Sequence, residues 1–330
     1  MDFDTIIIGG GMSGFAAGIR CAYYNKKVCI IEKHKKIGGL NSFYKKAGHV
    51  FDVGLHALTN YVPRKKKNTP LPKLLRQLRL SYDDFNLCEQ KVSCIKFNSK
   101  TLYFNNDLEF LLQNIGDTFP KEIDNFNALL SYILEFNALD LTLSFSSARE
   151  IVKSFISDPL LIDMIFCPLM FYGSAKENDI NFAQFVIMFK SIFCEGFARP
   201  EGGVRQIIGL LLRKYLDLGG KLMMRSAVSE ILIDSNNHAK GVRLENGEKI
   251  WAEKVVSSVG YFETMTFCYP KSKTKFTEDA RVGTISFVEL ICLLNREMKD
   301  IGYNQSIFFL IKLIISYIRC RMILLMLKVA

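Results

Sequence analysis

The chain has 330 residues, 49% hydrophobic and 23% charged, with a formal net charge of +10. That length and balance fit a globular protein of two domains with a large core and exclude a chain dominated by disorder. The lysines and arginines are dispersed except at 33–36 and 64–67 and accompany no nucleic-acid-binding motif, which argues against nucleic acid as a partner and leaves a solvated face or an anionic membrane surface. Nine cysteines, an odd number without a CxxC pair, argue for reduced core thiols over a disulfide framework or a zinc site. Met1-Asp2-Phe3-Asp4 leads straight into an apolar stretch with no room for a secretory signal, so the expected compartment is cytoplasmic.

The first element is an apolar, β-branched strand, Thr5 to Ile8, that runs into Gly9, Gly11 and Gly14 and then a helix-compatible segment, Phe15 to Tyr24. In a dinucleotide fingerprint the first glycine makes the tight turn, the second lets the backbone approach a pyrophosphate, and the third lets helix pack on strand. Met12 and Ser13 fall where helix N-terminal amides face phosphates. Asn25-Lys26-Lys27 turns the chain into a second strand, Val28 to Ile31, ending at Glu32, which is placed to accept hydrogen bonds from a ribose diol, with Lys33 directly after it. Strand, glycines, helix, strand and acid in order make this far more specific than a bare GxGxxG.

A second glycine pair, Gly38-Gly39, follows the acid. A plain NAD site has no use for it, whereas a cofactor extending past its pyrophosphate can use a second close backbone approach, so FAD is favoured. Asn41 to Tyr44 and His49 to Val53 read as two short strands around a Lys45-to-Gly48 turn. With Gly9-x-Gly11-x-x-Gly14, Glu32, Gly38-Gly39 and Phe51-Asp52-x-Gly54 in place, the chain resembles the flavin amine oxidase and phytoene desaturase superfamily, most of all its carotenoid desaturases, carotenoid isomerases and retinol saturases. Leu40 stands where many members have an arginine, so the resemblance implies backbone contacts by Gly38 and Gly39 but no side-chain contact from position 40.

Residues 64–80 open with a basic run and continue as a short amphipathic helix in which Leu74, Leu75 and Leu78 adjoin Lys73, Arg76 and Arg79. Such a helix lies on a membrane or packs its leucines inward. From about 81 to 200 the texture is helical and aromatic: 16 of the 26 phenylalanines fall there, in segments such as Phe126 to Phe136, Leu160 to Tyr172 and Phe182 to Phe197. Aromatic stripes of this kind form a core or line a tunnel for a long apolar substrate.

After Arg199-Pro200-Glu201-Gly202-Gly203 the α/β texture returns, with a helix over Val204 to Leu216 and strands over 221–224, 228–234, 241–244, 250–252 and 254–258, hinged on an Asn246-Gly247 hairpin. The resemblance makes this block the completion of an FAD domain. It places Val228 where a backbone meets the adenine, and Ser258 and Gly260 near the adenosine half. A further strand is expected over 282–289. From 307 onward the chain is apolar, glycine-free and interrupted by Lys312, Arg319 and Arg321, which suits neither an uncharged anchor nor a clean amphipathic helix. The expectation is a truncated or shifted frame after about residue 310.

The expected architecture is α/β: a Rossmann-like FAD-binding domain (1–63 and 199–265) with an inserted, mainly helical substrate domain (64–198 and 266–306) and an apolar tail (307–330). The resemblance implies an FAD-dependent oxidoreductase moving a hydride between flavin and an apolar, polyene-like substrate, with peripheral membrane contact. Two alternatives stand beside it: a remnant that keeps the nucleotide fold without turnover, and an amine or porphyrinogen oxidase. No metal-ligand or Ser/His/Asp constellation occurs, and no catalytic residue is assigned; His56 is the one polar candidate near a flavin, with a structural role as its alternative.

Overall fold

The computed structural model describes residues 1–54, 57–66, 69–97, 100–171, 178–268, 293–312, 321–325 and 328–329. The strand expected over 282–289 and the candidate His56 lie outside them. The chain divides into two discontinuous units, one of Met1–Ala57, Pro70–Cys88 and Arg199–Ala280, the other of Leu58–Thr69, Glu89–Ala198 and Arg281–Ala330.

In the first unit, strand β1 (Phe3–Ile8) is apolar on both faces because both are covered. One face packs Ile6 and Ile8 against Cys29, Ile31, Val228, Val242 and Ile250. The other meets helix α1 (Met12–Tyr23), whose Gly14, Phe15, Gly18, Ile19 and Ala22 recur at helical spacing and are buried. Strand β2 (Val28–Ile31) pairs parallel to β1 with Ile6 opposite Cys29, and Lys221–Met223 pairs parallel to β2. Lys249–Ser257 lies parallel to β1 on its other side, Ile6 opposite Val255, and carries the antiparallel strands Ala239–Leu244 and Val228–Ile233. The six-stranded sheet and its helices make this a Rossmann-like, mixed α/β unit. The two segments expected at 250–252 and 254–258 are one continuous strand.

A hairpin of β3 (Phe43–Lys46) and β4 (His49–Asp52) turns through Ala47 and Gly48, both at positive φ as a two-residue hairpin turn requires. Helix α2 (Pro70–Leu78) belongs to this unit, not to the second. Leu75 and Leu78 are buried, the Tyr23 hydroxyl donates to the Leu78 carbonyl at 3.2 Å, and the Arg79 guanidinium lies 4.2 Å from the Tyr23 ring centroid. Of the two readings of the amphipathic segment, the leucines packed inward are what is found, with only Leu74 left half exposed.

The second unit adds a small sheet to a run of helices. Ser93–Phe97 and Lys100–Phe104 pair as an antiparallel hairpin ahead of the helices Leu108–Thr118, Ile123–Glu135, Ala148–Phe155, Pro159–Met170 and Phe182–Phe189. Asp107, Ser147, Asp158 and Asn181 cap four of these helices with side-chain oxygens. Phe182, Phe185 and Phe189 continue through a π-helical turn, Lys190–Glu195, to Phe193, with successive ring centroids 5.8, 5.9 and 5.1 Å apart. All four rings are buried against one another, so this stripe is core.

Part of the tail is extended. Phe308–Lys312 is a strand, parallel to Ser93–Phe97 with Phe309 opposite Ile95 and antiparallel to Arg321–Leu325. Ile307 and Phe309 are buried, and the Phe309 ring lies 6.2 Å from that of Phe104. Phe308–Lys312 and Arg321–Leu325 are thus strands and not parts of a helix. Among the described residues no helix is long and apolar enough to cross a membrane.

Candidate functional site

At the carboxyl end of β1 the chain turns sharply at Gly9, whose φ of 103° suits glycine. A Cβ on Gly14 would stand 2.0 Å from the Gly9 carbonyl oxygen, so the helix can start this close to the strand only without a side chain there. Ser258 braces the same turn: its backbone amide donates to the Ile8 carbonyl at 2.9 Å and its hydroxyl lies 3.0 Å from that oxygen and 3.2 Å from that of Gly9. Val259 packs on Gly9, and Gly260, at φ 101°, opens the helix Tyr261–Cys268.

Glu32 directly follows β2 and is buried, at 6% exposure. Its Oε2 accepts the Gly10 amide at 2.7 Å and its Oε1 the His34 amide at 2.8 Å. A carboxylate offers about four acceptor positions, and these two bonds use two of them. Gly10, whose amide makes the first of these bonds, had no assigned role in the sequence; three consecutive glycines were its only signal. Lys33, directly after Glu32, is exposed.

Gly38 comes back to the glycine turn. Its amide donates to the Gly10 carbonyl at 2.8 Å, and it bridges Gly11. Gly38 takes φ 110° and Gly39 φ 56°, and a Cβ on Gly39 would lie 3.7 Å from Gly11 Cα. The two glycine motifs, separate in sequence, thus form one backbone cluster. Gly11 itself is open: a Cβ there would meet only the Gly38 carbonyl, at 4.0 Å. The start of α1, with Met12 half-buried and Ser13 exposed, has no side-chain cap and no acid in its first turn. An anion beside Gly11 would therefore face unopposed helix amides.

Val228 begins the strand opposite Leu244, and the Ser226 amide just before it donates to the Glu32 carbonyl at 2.9 Å. The 224–228 segment thus runs beside the acid. A second connection went unassigned in the sequence. Asp52, the acid of Phe51-Asp52-x-Gly54, is buried and meets the guanidinium groups of Arg199 at 2.6 Å and Arg205 at 3.2 Å.

Residues 7–78 match the model of the NAD(P)-binding Rossmann-like domain. The chain is 24% identical to prolycopene isomerase 2 of an Oncidium hybrid cultivar, over 80% of this chain and 49% of the relative. It is 22% identical to all-trans-retinol 13,14-reductase of Danio rerio, over 82% and 49%. Among solved structures, an oxidoreductase from Methanosarcina mazei has a TM-score of 0.63 at 22% identity, covering 83% of this chain and 64% of that one. The chain spans about half the length of the curated relatives it matches. With its Rossmann-like dinucleotide-binding domain, the chain is thus a homologue of carotenoid isomerases and retinol reductases, as the resemblance of its motifs implied.

Proposed function

We propose that this protein binds FAD and serves an FAD-dependent oxidoreductase reaction on an apolar, polyene-like substrate. The observation that carries the reading is the joined glycine cluster: Gly11 left open between the uncapped start of α1 and Gly38, with the buried Glu32 carboxylate alongside. Gly9 and Gly14 shape the turn; Gly11, Met12 and Ser13 offer backbone to the pyrophosphate; Glu32 takes the ribose; Gly38 and Gly39 continue the backbone contact beyond it. Lys33 flanks the ribose, and Val228, Ser258 and Gly260 border the adenosine half. Bound flavin supplies the hydride acceptor or donor. The homology to enzymes named for prolycopene and retinol supports the polyene class. Peripheral membrane contact is supported by an exposed loop of the second unit carrying Leu139, Leu141, Leu143 and Phe145.

The test is reconstitution of the purified protein with FAD, followed by anaerobic mixing with a carotenoid or retinoid. Flavin absorption that co-elutes with protein and changes on adding the polyene is the expected result. Folded protein that takes up no flavin would overturn the reading; uptake without any response to polyenes would leave a nucleotide-binding remnant and overturn the reaction.

A further inference from the structure

We propose that Asp52, clasped by Arg199 and Arg205, is a positioning residue that sets where the Gly38–Gly39 backbone lies against Gly11; this rests on the FAD reading above. Asp52 ends β4. Its side chain is 3% exposed, whereas those of Arg199 and Arg205 are 35% and 24% exposed. A buried carboxylate is costly without partners, and here two guanidinium groups supply them. The approach needs Gly203: a Cβ there would stand 2.6 Å from Asp52 Oδ2 and 2.7 Å from an Arg205 nitrogen. The Arg199-to-Arg205 segment is therefore shaped around this one acid.

The next two residues carry the clasp to the glycine pair. The Val53 amide donates to the Ser42 carbonyl at 2.9 Å, and the Ser42 and Asn41 amides donate to the Gly39 and Gly38 carbonyls. Gly54 lies so close to this turn that a Cβ would be 2.4 Å from the Leu40 carbonyl oxygen. Each link is short and is either backbone-to-backbone or a charged pair. Asp52 thus anchors the strand end on which the Gly38–Ser42 turn rests, and Gly38 in turn holds Gly10. A cofactor that reaches beyond its pyrophosphate contacts this turn, whereas ADP, held by Gly9 to Glu32 and bordered by Val228, Ser258 and Gly260, does not extend to it. Loss of the clasp should therefore separate the two ligands.

Two measurements on the full chain test this in Asp52→Asn, with Asp52→Glu as the conservative variant. In ligand-free protein, amide hydrogen exchange at Gly38, Ser42 and Val53 rises by about tenfold in Asp52→Asn, while Ile6 to Ile8 and Val255 to Ser257 stay protected. In titrations, FAD binding weakens by about tenfold and ADP binding by less than about twofold, with Asp52→Glu recovering part of the FAD loss. Unchanged exchange, or equal weakening of FAD and ADP, overturns the proposal. If Asp52→Asn does not fold, Arg205→Gln keeps the Arg199 contact and is read by the same two criteria. Wild-type protein that binds ADP but not FAD defeats the FAD reading, and the exchange measurement then still decides whether the clasp holds the turn.

Discussion

A methyl group added at Gly11 and one added at Gly14 should have opposite consequences. Gly11 has φ −84° and ψ −179°, an extended conformation open to any residue, and its added Cβ would touch nothing nearer than 4.0 Å. Gly11→Ala should leave unfolding free energy within about 0.5 kcal/mol of wild type, as for a substitution that meets no neighbour. It should nevertheless weaken FAD by about tenfold, about 1.4 kcal/mol, because the methyl stands where the pyrophosphate approaches the backbone. Gly14→Ala drives a Cβ to 2.0 Å from the Gly9 oxygen and should cost about 1–3 kcal/mol in urea unfolding, the usual range for overpacking. If Gly11→Ala bound FAD as tightly as wild type, the glycine cluster would not be the pyrophosphate site. The glycine spacing was legible in the sequence because each glycine answers a steric demand set within a few residues. The partners of Asp52 were not: they stand 147 and 153 positions away, and nothing local marks a surface acid from a buried one.

At the scale of elements, helices of the second unit such as Ile123–Glu135 and Pro159–Met170 announced themselves through the helical texture of Phe126 to Phe136 and Leu160 to Tyr172. The hairpin 93–104 did not, although Cys94, Ile95, Phe97, Leu102 and Phe104 are buried, because its strands are only five residues long and adjoin a long helical run. The loop between Ile123–Glu135 and Ala148–Phe155 behaves differently from both. Leu139 is 78% and Leu141 99% exposed, an unusual display for large apolar side chains on consecutive alternate positions. The loop satisfies part of its own backbone, the Leu139 amide donating to Asn137 Oδ1 at 3.3 Å and the Thr142 amide to Asp140 Oδ1 at 2.9 Å, which lowers the cost of entering a lipid interface. Replacing Leu139 and Leu141 together by Ser should weaken partitioning onto phosphatidylcholine and phosphatidylserine vesicles, read by co-sedimentation, by about a hundredfold or more, since each leucine contributes about 1.5–3 kcal/mol when fully transferred and about 1.4 kcal/mol is tenfold. Sedimentation unchanged by that pair would exclude this loop as the membrane contact.

For the whole molecule, the two interleaved units give ligand binding a directional signature. All residues assigned to FAD lie in the unit built on the six-stranded sheet. A ligand that binds only the folded form stabilises it by RT ln(1 + [L]/Kd), about 2.7 kcal/mol at a hundredfold excess over Kd. For a unit of this size each kcal/mol raises the midpoint by about 2–4 °C, so FAD should raise its unfolding temperature by about 5–10 °C. The added protection should appear in hydrogen exchange of β1, β2 and Lys249–Ser257, whose pairings surround the glycine turn. The stripe from Phe182 to Phe193 should be protected only as far as the second unit unfolds together with the first. At the same excess over its own Kd, ADP should give the same rise, because the linkage depends on saturation and not on ligand size. At equal concentrations FAD should give the larger rise, by the difference in affinity that contacts at Gly38 and Gly39 contribute. Equal rises at equal, subsaturating concentrations would mean that the second glycine pair contributes nothing beyond the pyrophosphate, and the preference for FAD over a shorter nucleotide would then have no structural basis in this chain.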